Sequence, residues 1–251
     1  MLNTAGGSGV LAHGPAELPD GVASPPAWRD LRVRVLSAAV LAPISLGALW
    51  LGGFAWHVLI GLLALGMATE WTTMSRATRM RRRDLSGAIL AAGLIYLAPA
   101  VLALIWMRDD ALVGRGNVLF VVLVVWASDI GAYLAGRMIG GPRLAPAVSP
   151  GKTWSGALGG LCSVALVGVA ASSLGGGTPV HGALMGALLG IASQIGDLLE
   201  SVVKRRFGVK DSGWLIPGHG GLLDRLDGML VAAALAGIVV LALGRGMTLW
   251  Q

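Results

Sequence analysis

Seven mostly apolar stretches, each close to the roughly twenty residues a helix needs to cross the hydrocarbon core of a bilayer, recur along this chain at 35–52, 54–71, 87–107, 118–138, 155–174, 181–199 and 228–248. Hydrocarbon offers backbone N–H and C=O groups no water, so such runs are satisfied as helices that close their own hydrogen bonds. The expected fold class is therefore all-α, a polytopic transmembrane helix bundle of about seven helices, the range being about seven to nine if a re-entrant segment adds to the count. Composition supports this, because 55% hydrophobic against 13% charged residues leaves too little charge to clothe a water-facing surface. The 39 glycines suit helices that approach backbone to backbone, since packing rather than hydrophobicity drives association in lipid.

A formal net charge of +6 could suggest a nucleic-acid partner. The basic residues instead fall in short clusters at the ends of apolar runs, which is the pattern of membrane topology, and no nucleic acid is expected. Arg29, Arg32 and Arg34 precede the first span, and Arg76, Arg79, Arg81, Arg82 and Arg83 follow the second, so both regions are assigned to the cytoplasm. The loop carrying Arg108, Asp109, Asp110 and Arg115, and the uncharged loop Gly175–Gly176–Gly177–Thr178–Pro179, are assigned to the outside. Alternation then places Arg137 to Lys152 and Lys204 to Arg225 in the cytoplasm, in agreement with their own positive charge. The C-terminus falls outside. Residues 1–30 lack an apolar core and read as a disordered cytoplasmic tail rather than a cleaved signal peptide. Residues 31–251 read as one transmembrane domain. Its single cysteine, Cys162, excludes a disulfide framework or a multi-cysteine metal site within one chain.

The chemistry concentrates between the last two spans. Five acidic residues, Asp197, Glu200, Asp211, Asp224 and Asp227, lie there, interleaved with Lys204, Arg205, Arg206, Lys210, His219 and Arg225. A topogenic loop would need only the positive ones. Asp197 ends the apolar run from Ile191, which makes it an ionisable group at the membrane boundary and a functional candidate. Asp197 and Glu200, like Asp224 and Asp227, are three apart and would share a helical face. Like charges so close repel unless a cation intervenes, and hard oxygen donors of this kind suit Mg²⁺. The alternative is that Asp224 and Asp227 merely cap a helix start. Just ahead of them, Pro217–Gly218–His219–Gly220–Gly221 could bring backbone donors to a phosphate, or be an ordinary loop.

Two upstream segments carry further polar groups. Ser149–Pro150–Gly151–Lys152–Thr153–Trp154 is not a P-loop, because its first glycine would fall at Pro146. Ser149, Lys152 and Thr153 could still offer a charge and two hydroxyls to phosphate, or Lys152 could be topogenic and Trp154 an interfacial anchor. Asp129, Tyr133 and Arg137 lie on one helical face of the fourth span, a stripe that lines a polar cavity or pairs internally. Glu70 reads as an interfacial group paired with a nearby arginine, and no role is assigned to it.

Ser201–Val202–Val203–Lys204–Arg205, Lys210–Asp211, Pro217 to Gly221 and Asp224–Arg225–Leu226–Asp227 together resemble the signature of the phosphatidate cytidylyltransferase (CDP-diglyceride synthase) family. The resemblance extends to Trp126–Ala127–Ser128–Asp129, Ala132–Tyr133, Gly136–Arg137, Ser149–Pro150 and Lys152–Thr153–Trp154, and so covers a catalytic region of about 120–230. Gly151 stands where many relatives carry lysine, which removes one basic phosphate contact. The resemblance implies that the phosphate of phosphatidic acid attacks the α-phosphorus of CTP, giving CDP-diacylglycerol and pyrophosphate for phospholipid synthesis. It implies that Asp197, Asp224 and Asp227 hold Mg²⁺, with room for a second cation such as K⁺. Lys204, Arg205, Lys210 and Arg225 would neutralise phosphate charge, with Asp211, His219, Gly220 and Gly221 completing the nucleotide site. Asp129, Tyr133, Ser149, Lys152 and Thr153 would line the cavity for the lipid headgroup. The implied partners are CTP, phosphatidic acid and membrane lipid, in a cell inner membrane with the site facing the cytoplasm. A homodimer is compatible with the resemblance.

Two other functions fit parts of this pattern. A CDP-alcohol phosphatidyltransferase also uses clustered aspartates, but its Asp–Gly–x₂–Ala–Arg opening is absent and Asp224 and Asp227 are three apart rather than four. An ion-coupled transporter could use Asp129 and Asp197, yet leaves the glycine-rich loop and the basic clusters unexplained.

Overall fold

The computed structural model describes residues 27–215 and 220–251. The tail up to residue 26, and His219 with Gly218 in the glycine-rich loop, lie outside the described residues. Seven α-helices are present among those described: α1 Ala27–Leu51, α2 Gly53–Arg81, α3 Ser86–Arg108, α4 Gly114–Met138, α5 Trp154–Gly175, α6 Pro179–Phe207 and α7 Leu223–Leu243. Six are long and apolar enough to cross a membrane, and α1 adds the shorter apolar piece Ala39–Leu51. The expected polytopic helical bundle is the fold observed.

Three departures from expectation bear on the polar residues. A small antiparallel hairpin, β1 (Arg143–Ala145) with β2 (Ser149–Thr153), links α4 to α5. Gly140 and Gly141 turn the chain at φ 66° and 104°, where helix cannot continue, and Pro142, Pro146 and Pro150 then disfavour its return. The last helix lies at Leu223–Leu243 rather than at 228–248, so Asp224 and Asp227 are in its first two turns. Finally, α6 runs on to Phe207, where Gly208 at φ 73° ends it. At 29 residues it spans about 44 Å, well beyond the roughly 30 Å hydrocarbon core. Glu200 and Lys204 therefore ride on the last turns of a helix longer than the hydrocarbon core is thick.

Small residues set the helix spacing. A Cβ on Gly196 of α6 would come 2.6 Å from the Asp227 carbonyl, and one on Gly228 of α7 would come 2.5 Å from Ser193 Oγ. A Cβ on Gly156 of α5 would sit 2.9 Å from the Ala132 carbonyl of α4. These contacts draw α4, α5, α6 and α7 together where the polar residues lie, as small-residue faces do in lipid.

The polar segments sort to two ends. At one, Gly52 and Gly53 turn from α1 into α2 at φ 67° and 49°. Arg108 donates through Nε to the Leu49 carbonyl at 2.7 Å and through Nη2 to the Trp50 carbonyl at 3.2 Å, satisfying carbonyls that the helix end leaves open. The C-terminal tail returns to the same end. Its Gly246 amide donates to Asp110 at 2.9 Å, and Leu249 N and Met247 O bind the Asn117 side chain at 2.9 and 3.1 Å. The hairpin, the end of α6 and the start of α7 form the opposite end. This sorting matches the two sets of loops assigned to opposite sides from the basic residues.

The Gly246 amide first, then the Val113 and Leu112 amides, hold the Asp110 carboxyl below the usual carboxylate range. A group depressed in this way stabilises the fold above its unfolded pKa of about 3.9, and that contribution is lost as pH falls through the folded value. Asp110→Asn should therefore lower the thermal midpoint at pH 7, and its difference from wild type should shrink as the sample is taken below about pH 4. Thermal melts of the detergent-purified protein across that range check it.

Candidate active site

Two polar clusters meet at the hairpin end. The first is a cavity of about 370 Å³ among α4, the hairpin, α5 and α6, lined by Ser128, Asp129, Tyr133, Arg137, Lys152, Thr153, Gln194 and Asp197. The stripe of Asp129, Tyr133 and Arg137 read from helical spacing thus faces one cavity. Lys152, on β2, pairs with Asp197 of α6. The hairpin is what carries Lys152 there: Pro142 O accepts from Trp154 N at 3.1 Å, and Thr153 Oγ1 accepts the Gly156 amide at 3.1 Å to cap α5. Thr153 is buried in that capping role, and Ser149 stands at the start of β2.

The second cluster joins α6 to the start of α7. Lys204 Nζ lies 2.6 Å from Glu200 Oε2, one turn back on α6, and 2.7 Å from Asp224 Oδ1 on α7. Asp224 Oδ2 accepts the amides of Ser212 at 3.0 Å and Gly221 at 3.2 Å. All three charged side chains are largely buried, with 13%, 3% and 12% of Lys204, Glu200 and Asp224 exposed. Asp227 lies between the clusters, its Oδ1 taking the Gly228 amide at 2.7 Å, within electrostatic range of Asp197, Glu200 and Asp129. The Gly196–Gly228 approach of α6 and α7 is what brings Asp197 and Asp227 near each other.

Across the two clusters, five carboxylates stand among two lysines and Arg137. Asp224 has Lys204 as its near countercharge. Among the described residues no three His, Cys, Asp or Glu side chains are gathered as a metal-holding group. The capping alternative for Asp224 is partly realised, since it takes the Gly221 amide, but the amides of Leu222 and Leu223 at the start of α7 go elsewhere. They donate to Glu70 of α2, at 2.8 Å each. Among the described residues Glu70 thus pairs with no arginine; it is buried at 3% exposure and bonded across about 150 residues of chain. Nothing local in the sequence signals that bond. An acidic residue inside an apolar run was the available hint.

Other expected site residues stand further out. Arg205, Lys210 and Asp211 are exposed around the end of α6, with Arg205 Nη1 donating to the Val209 carbonyl at 3.4 Å. Arg225 is exposed on the first turn of α7, and Gly220 turns at φ 85° beside Asp224. His219 falls outside the described residues. Beside the polar clusters, an apolar cavity of about 300 Å³ opens among α1, α2, α3, α4 and α7. Trp126 and Leu226 line it, one turn from Asp129 and adjacent to Asp227 respectively.

The model of the Cytidylyltransferase family matches residues 32–111 and 83–243. The chain is 39% identical over 251 aligned residues to a phosphatidate cytidylyltransferase of Brucella suis biovar 1 (strain 1330), covering 82% of this chain and 92% of that one. It is 34% identical over 213 residues to the phosphatidate cytidylyltransferase of Rickettsia bellii (strain RML369-C), covering 81% and 88%. A third, from Mycobacterium leprae (strain TN), is 42% identical over 155 residues, covering 61% of this chain and 49% of its own.

Proposed function

The chain belongs to the cytidylyltransferase family, and on that premise we propose how its site carries out the family's reaction. The protein transfers CMP from CTP to phosphatidic acid, forming CDP-diacylglycerol and pyrophosphate. An oxygen of the lipid phosphate attacks the α-phosphorus of CTP. A new P–O bond forms as the bond from that phosphorus to the β-phosphate oxygen breaks, and pyrophosphate leaves with the electron pair. The nucleophile is already anionic, so no strong base is required. Catalysis of this kind rests on positioning and on neutralising the charge of the transferred group.

Lys204, held between Glu200 and Asp224, would neutralise the triphosphate, with Arg205, Lys210 and Arg225 at the entrance. Lys152 would meet the lipid phosphate at the cavity it shares with Asp129 and Tyr133. The adjoining apolar cavity suits an acyl chain, and Trp126 and Leu226 stand where chain and headgroup would join. The carboxylate excess fits Mg²⁺, which takes one or two protein carboxylates and completes its shell with waters and substrate phosphates. Asp197 and Asp227 would hold it, while the oxygens of Asp224 already serve Lys204 and two amides. When bound, the cation would offset charge on the phosphates being exchanged. The site would face the cytoplasm, a reading supported by the basic clusters at this end.

The observation that carries this reading is the family match across residues 32–243 with the two lysine–carboxylate clusters inside it. Purified protein in detergent, given labelled CTP, phosphatidic acid and Mg²⁺, should release pyrophosphate and form CDP-diacylglycerol. Absence of both products from folded protein would overturn it.

A further inference from the structure

A buried carboxylate is expensive, and in an apolar bundle an alkyl side chain would fill the same space at no such cost. Glu70 nevertheless sits in α2 with both oxygens engaged. Oε1 accepts the Leu222 amide at 2.8 Å, and Oε2 accepts the Leu223 amide at 2.8 Å and the Ser212 hydroxyl at 3.1 Å. All three partners are neutral donors, and two are open N–H groups at the start of α7, where the helix dipole also favours negative charge. The N-cap residue of α7, Leu222, has no polar side chain to cap the helix, whereas α5 and α6 have Thr153 and Thr178. Glu70 supplies from another helix what local sequence supplies elsewhere.

The bonds it makes lead straight to the reacting groups. Ser212 donates its hydroxyl to Glu70 and its amide to Asp224. Gly213 lies so close that a Cβ there would come 2.7 Å from Glu70 Oε1, and a Cβ on Gly221 would meet Ser212 Oγ and Gly213 N. The segment after α6 and the first turn of α7 are thus pinned to one carboxylate. Asp224 and Asp227 follow Leu223 by one and four residues, so the register of α7 against α6 passes through this cap.

We propose that Glu70 is a positioning residue: from α2 it holds the start of α7 and the Ser212 segment, and so fixes Asp224 and Asp227 relative to Lys204 and Asp197. This rests on the reaction proposed above. Glu70→Gln keeps the size but turns an amide NH₂ toward a backbone N–H. A misplacement of about 1 Å away from the chemistry costs about 100-fold, so kcat should fall by about that factor. KM for CTP should stay within about threefold, because the binding groups remain. Trp71→Phe is the control for stability alone, as it breaks the neighbouring bond from Trp71 Nε1 to the Ile89 carbonyl. It should lower the thermal midpoint at least as much as Glu70→Gln and keep kcat. Should Glu70→Gln not fold, Ser212→Ala decides, since it removes only one donor and should still lower kcat several-fold at constant KM. A wild-type kcat in Glu70→Gln, or in Ser212→Ala, overturns the inference, as does a kcat loss that Trp71→Phe matches. An inactive wild type would sink the reaction itself; an active wild type with an active Glu70→Gln sinks only the positioning role.

Discussion

Asp224→Asn is expected to cut turnover about 10³-fold, the scale seen when a preorganised charge-stabilising group is removed from an active site, while the protein still folds. The wild-type carboxylate receives Lys204 on Oδ1 and the Ser212 and Gly221 amides on Oδ2. Asparagine keeps the shape and one acceptor oxygen. It loses the charge that directs Lys204, and its NH₂ competes with the donors already present. If Asp224 only capped the start of α7, the cost would be about 1 kcal/mol of stability with turnover retained. Steady-state rates and thermal midpoints, measured on one preparation, separate the two. A variant that melts about 1 kcal/mol lower yet turns over normally would remove Asp224 from the mechanism.

Lys204→Met should be inactive and poorly folded, and the two losses should separate on adding Glu200→Gln. Lys204 is the shared partner of two largely buried carboxylates, so its removal leaves Glu200 and Asp224 facing each other without countercharge. Breaking a buried pair from one side costs about 3–5 kcal/mol. Neutralising Glu200 in the double variant relieves much of that, so the yield of folded protein should recover. Turnover should not recover, because the charge offered to the triphosphate is still missing. Activity restored in the double variant would make Lys204 a structural countercharge and nothing more. Size-exclusion yield and the labelled-CTP assay read the two quantities independently.

Most of the bundle was legible because its signal is local. Each apolar run needs about twenty residues and no distant partner, and the six membrane-length helices appear where those runs are. The end of α6 lies beyond the apolar run at 181–199 because hydropathy marks only the lipid-facing part of a helix, and the polar residues from Glu200 to Arg206 continue it to Phe207. A polar turn continues a helix readily once that helix has left the lipid. The hairpin was missed because β1 and β2 are only three and five residues long, too short for period-two alternation to register. Lys152 was nevertheless singled out from residue type alone, a lysine beside two hydroxyls, and it lines the polar cavity and pairs with Asp197. Partner assignments fared less well. Asp224 and Asp227 share a helix as expected, but their spacing could not show that Lys204, twenty residues upstream, comes within 2.7 Å of Asp224.

By itself the sequence determined the solvent of this protein, its helical class, the division of its loops between two ends and the resemblance to its family. All follow from transfer free energies and motifs that act within a few turns of chain. Tertiary structure alone decided which charges neutralise which. Lys152 reaches Asp197 because the hairpin packs on α5, which lies along α6, and Lys204 reaches Asp224 because α6 packs along α7. Glu70 reaches α7 because the packed bundle sets α2 against the start of that helix. A buried charge takes whatever partner the packing brings within hydrogen-bond range, and in this chain glycine contacts such as Gly196 against Asp227 and Gly228 against Ser193 set that packing.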